Sequence, residues 1–175
     1  MKLPAEKSCD EKGIVVSGPL RGYFFGICIG DQGEAGRGIS GFAFPDLGIL
    51  FKSRCRKQLF ECQYEGLLAL LMFTEEYPEI FKDLDLELFT DSAVVSFQMN
   101  NRREIPGALK EYRDKALSYR QKIKYKIGWV PFHENLAIRG YDDMTTIGPD
   151  IDMEIGECRL IDKKQLMVIQ DVRSE

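Results

Sequence analysis

Tyr23-Phe24-Phe25-Gly26-Ile27-Cys28-Ile29, closed by Gly30-Asp31-Gln32-Gly33, is the stretch whose reading decides the fold. Aromatic and β-branched side chains dominate the first seven residues and predict a strand, and the glycine-rich segment after them predicts the turn that ends it. Ile39 to Phe44 reads as a second strand. Pro45-Asp46-Leu47-Gly48 then makes a tight connection, and Ile49 to Lys57 returns beside it as a third strand of an antiparallel meander. Upstream, residues 1 to 20 are polar, with Gly and Pro near their end, and read as a loosely held lead-in.

Beyond the meander the hydrophobic period changes. Tyr64, Leu67, Leu68 and Leu71 recur at helical spacing between Glu61 and Tyr77, while Leu70, Met72 and Phe73 fill the other side. Such a helix is expected to be buried on both sides, with Pro78 helping to end it. Leu84, Leu86 and Leu88 alternate with Asp85 and Glu87 and lead into Phe89-Thr90-Asp91-Ser92, a strand that ends in a carboxylate. Ala93 to Asn100 predicts a short helix. A longer one starts at Pro106, with Leu109, Tyr112, Ala116, Tyr119 and Ile123 at intervals of three and four. Lys124 to Pro131 is the fifth strand, with Trp129 expected in the core and Pro131 ending the ladder. The order β-β-β-α-β-α-α-β calls for an α/β fold, a mixed five-stranded sheet with helices on its faces.

At 175 residues the chain is the size of one domain. That domain is placed at residues 21–140 and is followed by an acidic, irregular extension at 141–175 with one strand candidate, Lys164 to Val172. A hydrophobic fraction of 44% and a charged fraction of 30% match an ordinary globular protein and exclude general disorder. No apolar run is long enough to cross a bilayer, and the first residues lack a signal-peptide layout, so a cytoplasmic protein without membrane association is expected. The five cysteines, Cys9, Cys28, Cys55, Cys62 and Cys158, show no metal-ligand spacing and read as reduced thiols. Net charge is −4, yet Arg102 to Lys126 holds nine basic residues against three acids, while Asp142 to Glu175 holds nine acids against four bases. The basic stretch is a candidate grip for a phosphate backbone, through Arg102, Arg103, Lys110, Arg113 and Arg120. A solvated helix face would carry the same charges.

Four local patterns, in order and at matching intervals over Gly22 to Gly140, resemble the type-1 ribonuclease H family, particularly its archaeal-like branch. Tyr23-Phe24-Phe25-Gly26-Ile27-Cys28 is similar to the family's first-strand motif Tyr-Phe-Asp-Gly-x-Cys. Glu65, within Gln63-Tyr64-Glu65-Gly66-Leu67, stands where the family has its helix glutamate. Thr90-Asp91-Ser92, followed by Val94-Val95 and Gln98-Met99-Asn100, resembles the family's Asp-Ser strand end and the helix after it. Trp129-Val130-Pro131 with Glu134-Asn135 resembles the last strand and the loop before the final helix.

The resemblance implies a metal-dependent endoribonuclease, cleaving RNA in RNA/DNA hybrids with two magnesium or manganese ions held by four carboxylates. Hard oxygen ligands suit magnesium, and the ion pair clamps the attacking and leaving oxygens. Glu65 and Asp91 match two of the four ligands. With each motif kept intact, Phe25 occupies the first-strand aspartate position and Arg139 the last carboxylate position, replacing donors by a hydrocarbon and a cation. On that alignment the chain is a catalytically impaired module that binds nucleic acid or a protein partner, with Arg139 expected to pair with Glu65 and Asp91. A second alignment, shifted by six residues at the first strand, keeps four acids as Asp31, Glu65, Asp91 and Asp143, with His133 as a proton shuttle. Asp91 has a further reading as the N-cap of the helix after it.

Overall fold

The computed structural model describes residues 18–28 and 38–139. Along them run β1 (Leu20–Cys28), β2 (Gly38–Phe44), β3 (Ile49–Cys55), α1 (Leu59–Glu76), α2 (Pro78–Phe81), β4 (Leu86–Thr90), α3 (Ala93–Met99), α4 (Gly107–Ser118), β5 (Tyr125–Trp129) and α5 (Leu136–Arg139). The sheet order is β3-β2-β1-β4-β5. β1, β2 and β3 pair antiparallel as the expected meander, and β4 and β5 add on in parallel. Parallel neighbours need a long crossover, and α1 provides it between the meander and β4. The mixed five-stranded sheet is thus the one expected, while the order β-β-β-α-β-α-α-β gains two short helices, α2 before β4 and α5 after β5.

α1 lies almost on the backbone of β1. A Cβ at Gly26 would stand 2.3 Å from Gln63 N, and one at Gly66 would stand 2.5 Å from Phe25 O. Both obstacles are backbone atoms, which cannot rotate away, so glycine is needed on each side of the interface. Alternation along β1 then sorts its side chains. Phe24 enters the main core beneath α1, with Phe42, Phe51, Tyr64, Leu67, Leu71 and Phe73. Phe25 points to the opposite face, into a smaller cluster with Ala43, Leu50 and Ala137.

Several expectations need correction. α1 starts at Leu59, before its apolar repeat, because the Glu61 carboxylate accepts from Gln58 N at 3.0 Å and satisfies a donor of the first turn. Pro78 opens the short helix α2, and Pro106 sits one residue before α4 as its N-cap. Trp129 is not core: it ends an edge strand, is 51% exposed, and donates from its indole nitrogen to Asp91 O at 3.1 Å. Four residues were too few to announce α5, which follows β5 after the short turn Phe132–Glu134 and is held through Ala137 and Ile138. Not all cysteines are reduced: Cys55 and Cys62 are bridged, their Cα atoms 5.8 Å apart, because the end of β3 and the first turn of α1 face each other. Residues 1–17 of the lead-in, the extension and the strand candidate at 164–172 lie outside the described residues. No described helix is long and apolar enough to cross a membrane.

Gly26→Ala is expected to destabilise the protein by about 1–3 kcal/mol or more, since the helix has to move off the strand. Gly107→Ala, at a position with nothing within 4 Å of the added carbon, is expected to be neutral or to stabilise by up to ~1 kcal/mol. Urea unfolding of both variants beside wild type measures the contrast, and equal effects would disprove the close-packing account.

Candidate functional site

Asn135 joins the elements that surround Phe25. Its side chain is fully buried; Nδ2 donates to Phe24 O at 3.0 Å and to Asp91 Oδ1 at 2.8 Å, while Oδ1 accepts from Ala137 N at 3.1 Å. One amide therefore caps α5, ties it to β1 and holds the carboxylate at the end of β4. The capping role weighed for Asp91 falls to its neighbour: Ser92 Oγ accepts from Val95 N at 3.2 Å and starts α3. Asp91 is left half-buried with Oδ1 engaged by Asn135. Phe25 is 1% exposed among apolar side chains, so its position in the first-strand motif is filled by an aromatic ring with no oxygen donor.

Glu65 sits in the first half of α1, 4% exposed. The charge that faces it is Lys57, whose Nζ lies 3.5 Å from Glu65 Oε1. That ammonium also donates to Tyr112 OH at 2.9 Å and stands 5.4 Å from the centre of the Tyr112 ring. Burial raises the Glu65 carboxyl to about 7, against the opposing pull of Lys57. For Lys57, burial lowers the ammonium, while the hydrogen bond to Tyr112 and the charge of Glu65 more than restore it, leaving it raised. The Cys55–Cys62 bridge spans Lys57 and ties both ends of its segment, at the end of β3 and the start of α1.

The described residues do not by themselves make up a site for a pair of divalent cations. Two dications need several converging carboxylates, yet no group of three or more His, Cys, Asp or Glu side chains that could hold a metal occurs among the described residues. Phe25 offers no oxygen donor, and Lys57 places a positive charge against Glu65. Asp31 and Asp143, the acids of the shifted alignment, lie outside the described residues. Arg139 is the last residue of α5, and the expectation about its side chain also lies outside the described part of the chain. His133 is in the exposed turn Phe132–Glu134, its Nε2 3.7 Å from Glu134 Oε1.

The basic candidates divide by environment. Arg102 and Arg103, in the turn after α3, and Lys110 on α4 are exposed. Arg120 is exposed too, with its guanidinium 5.1 Å from the centre of the Tyr125 ring. Arg113 is turned partly inward, 3.4 Å from Asp114 Oδ1. Sequence reasoning missed Lys57 as the partner of Glu65. It precedes α1, so no helical spacing relates it to Glu65, and its approach depends on the turn between β3 and α1. The same reasoning quoted Asn135 within a motif without seeing that it bridges three elements.

A meander continued in parallel by two further strands, with α1 crossing its face, defines an α/β protein of the ribonuclease H-like fold. Type-1 ribonuclease H structures match it. LC11-RNase H1, an enzyme isolated from compost by a metagenomic approach and solved in complex with an RNA/DNA hybrid, aligns over 66% of this chain and 88% of its own, with a TM-score of 0.58 and 18% identity. RNase H1 from the halophilic archaeon Halobacterium salinarum aligns over 70% and 98%, with a TM-score of 0.52 and 21% identity. The N-terminal RNase H domain of a Mycobacterium tuberculosis protein aligns over 66% and 86%, with a TM-score of 0.52 and 19% identity. At such identities the shared property is the fold. No protein-family model and no curated protein matches the sequence.

The raised Glu65 carboxyl sets a pH dependence. Between its ordinary value of 4.5 and about 7 the folded protein holds a proton that the unfolded chain has released, so stability falls as pH rises through that window. The contribution is fully present below the window and lost above it, and is worth about 3 kcal/mol in order of magnitude. Glu65→Gln is therefore expected to raise the urea midpoint at pH 8 and to leave it nearly unchanged at pH 4. Lys57→Met is expected to destabilise at pH 8 more than at pH 4, because it leaves the buried carboxylate unpaired. Equal effects at the two pH values would remove the ion pair from the argument.

Proposed function

We propose that this chain is a ribonuclease H-like module that binds nucleic acid, an RNA/DNA hybrid in the first instance, without cleaving it by two-metal chemistry. The observation that carries this reading is Phe25, buried at 1% exposure in the motif position where the resembled family has its first metal-binding aspartate. Lys57 supports it from the other side, as a built-in cation against Glu65. Asp91 in turn has a structural task, accepting from the amide that holds α5 to β1.

The binding half of the reading rests on fold and charge. A neighbour of the same fold is solved with an RNA/DNA hybrid. Arg102, Arg103, Lys110 and Arg120 are exposed cations within the basic stretch, and each phosphate they neutralise releases a counterion. Fold likeness alone does not transfer activity, so the decision falls to the site.

The test uses a labelled RNA/DNA hybrid with magnesium or manganese, wild type beside Asp91→Asn. Salt-dependent binding without cleavage is expected, and Asp91→Asn is expected to bind as wild type does, since its amide oxygen still accepts from Asn135. Arg102→Ala with Arg103→Ala should weaken binding and reduce the salt slope by about 1 for each phosphate that is no longer neutralised. Metal-dependent cleavage abolished by Asp91→Asn would overturn the reading in favour of an active endoribonuclease using Asp31 and Asp143. Absence of binding to hybrid, duplex or single strand would direct the search to a protein partner.

A further inference from the structure

Three cysteines converge at one end of the meander. Cys28 ends β1, Gly38 opens β2 and Cys55 ends β3, and the three form one cross-strand row, Cys28 opposite Gly38 and Gly38 opposite Cys55. Residues directly opposite each other share a face of the sheet, so the Cys28 and Cys55 side chains project to the same side with a side-chain-free position between them. Cys62, in the first turn of α1, comes down over that gap: a Cβ at Gly38 would stand 2.8 Å from Cys62 Sγ. Cys62 is bridged to Cys55, whereas Cys28 is a free, exposed thiol.

A single carbonyl oxygen places the free thiol beside the bridge. Cys28 Sγ donates to Lys57 O at 3.5 Å, and Cys62 Sγ lies 3.4 Å from the same oxygen. The two sulfurs are therefore separated by no more than the sum of those distances. Gly38 stands between Cys28 and Cys55 in the row, so of the two bridge sulfurs it is Cys62 that shares a neighbouring oxygen with Cys28.

We propose that Cys28, Cys55 and Cys62 form a thiol–disulfide exchange site in which Cys28 is the incoming thiol and Cys62 the shared central sulfur. The Cys28 thiol gives its proton to water and its sulfur attacks Cys62 Sγ. A Cys28–Cys62 bond forms as the Cys62–Cys55 bond breaks, and Cys55 Sγ leaves as a thiolate that takes up a proton. One disulfide and one thiol stand on each side of the step, so no external oxidant or reductant is consumed. The exchange moves the covalent tether of α1 from the end of β3 to the end of β1 and opens the span that carries Lys57.

The test uses the full oxidised chain, held folded at mildly alkaline pH because burial and Glu61 push the Cys28 thiol up. Free thiols are then blocked with N-ethylmaleimide, and tryptic peptides are mapped without reduction. Cys28, Cys55 and Cys62 fall in separate tryptic peptides, so each linkage has its own mass. Wild type is expected to divide between Cys55–Cys62 and Cys28–Cys62. Cys55→Ser, treated with oxidised glutathione and shown folded by circular dichroism, is expected to give Cys28–Cys62 as its main bridge, which disappears again when Cys28→Ser is added. A wild type that retains only Cys55–Cys62 over hours overturns the proposal, as does a folded Cys55→Ser protein whose Cys62 carries glutathione alone. The wild-type map needs no substitution and decides the matter if Cys55→Ser does not fold.

Discussion

The close approach of α1 to the backbone of β1 is the constraint on which the rest of the molecule depends. With Gly26 under Gln63 and Gly66 over Phe25 O, helix and strand come to distances that any side chain would prevent. That approach lowers Tyr64, Leu67 and Leu71 into the main core and takes Glu65 out of water with them. A carboxylate carried into such an interface needs a counter-charge, a metal or a proton. Here Lys57 supplies the charge and the raised carboxyl shows that the supply is incomplete.

The other face of β1 is organised by hydrocarbon and one amide. Phe25 fills the space between Ala43, Leu50 and Ala137, and Asn135 binds together Phe24 O, Asp91 and the start of α5. Both acids that the family resemblance points to are thus engaged by protein groups, one by an ammonium and one by an amide. The fold is that of solved ribonucleases H, while the groups around its carboxylates are suited to holding the protein together.

Much of this was legible beforehand for identifiable reasons. β1, β2 and β4 carry strong aromatic, β-branched or alternating patterns, and α1 has an unbroken apolar repeat, so their type and order follow from periodicity. Boundaries shifted by a residue or two where a cap acted, as at Gln58 and Glu61. Trp129 was misjudged because its size and apolar ring suggest burial, whereas its place at the end of an edge strand leaves it half exposed. The cysteines were misjudged because a spacing of seven residues says nothing until β3 and α1 are seen to turn toward each other.

The sequence by itself determined the sheet-and-helix order, the glycines that permit close packing, and the identities of Phe25, Glu65 and Asp91 at their motif positions. Those are properties of local pattern, set by side-chain size and hydrophobic period along the chain. Only the tertiary structure decided that Lys57 faces Glu65, that Asn135 occupies Asp91, and that Cys28 and the bridged Cys62 approach one carbonyl oxygen. Each of these joins residues on different elements, and Coulombic attraction, hydrogen bonding and thiol reach act over a few ångströms of space whatever the separation along the chain.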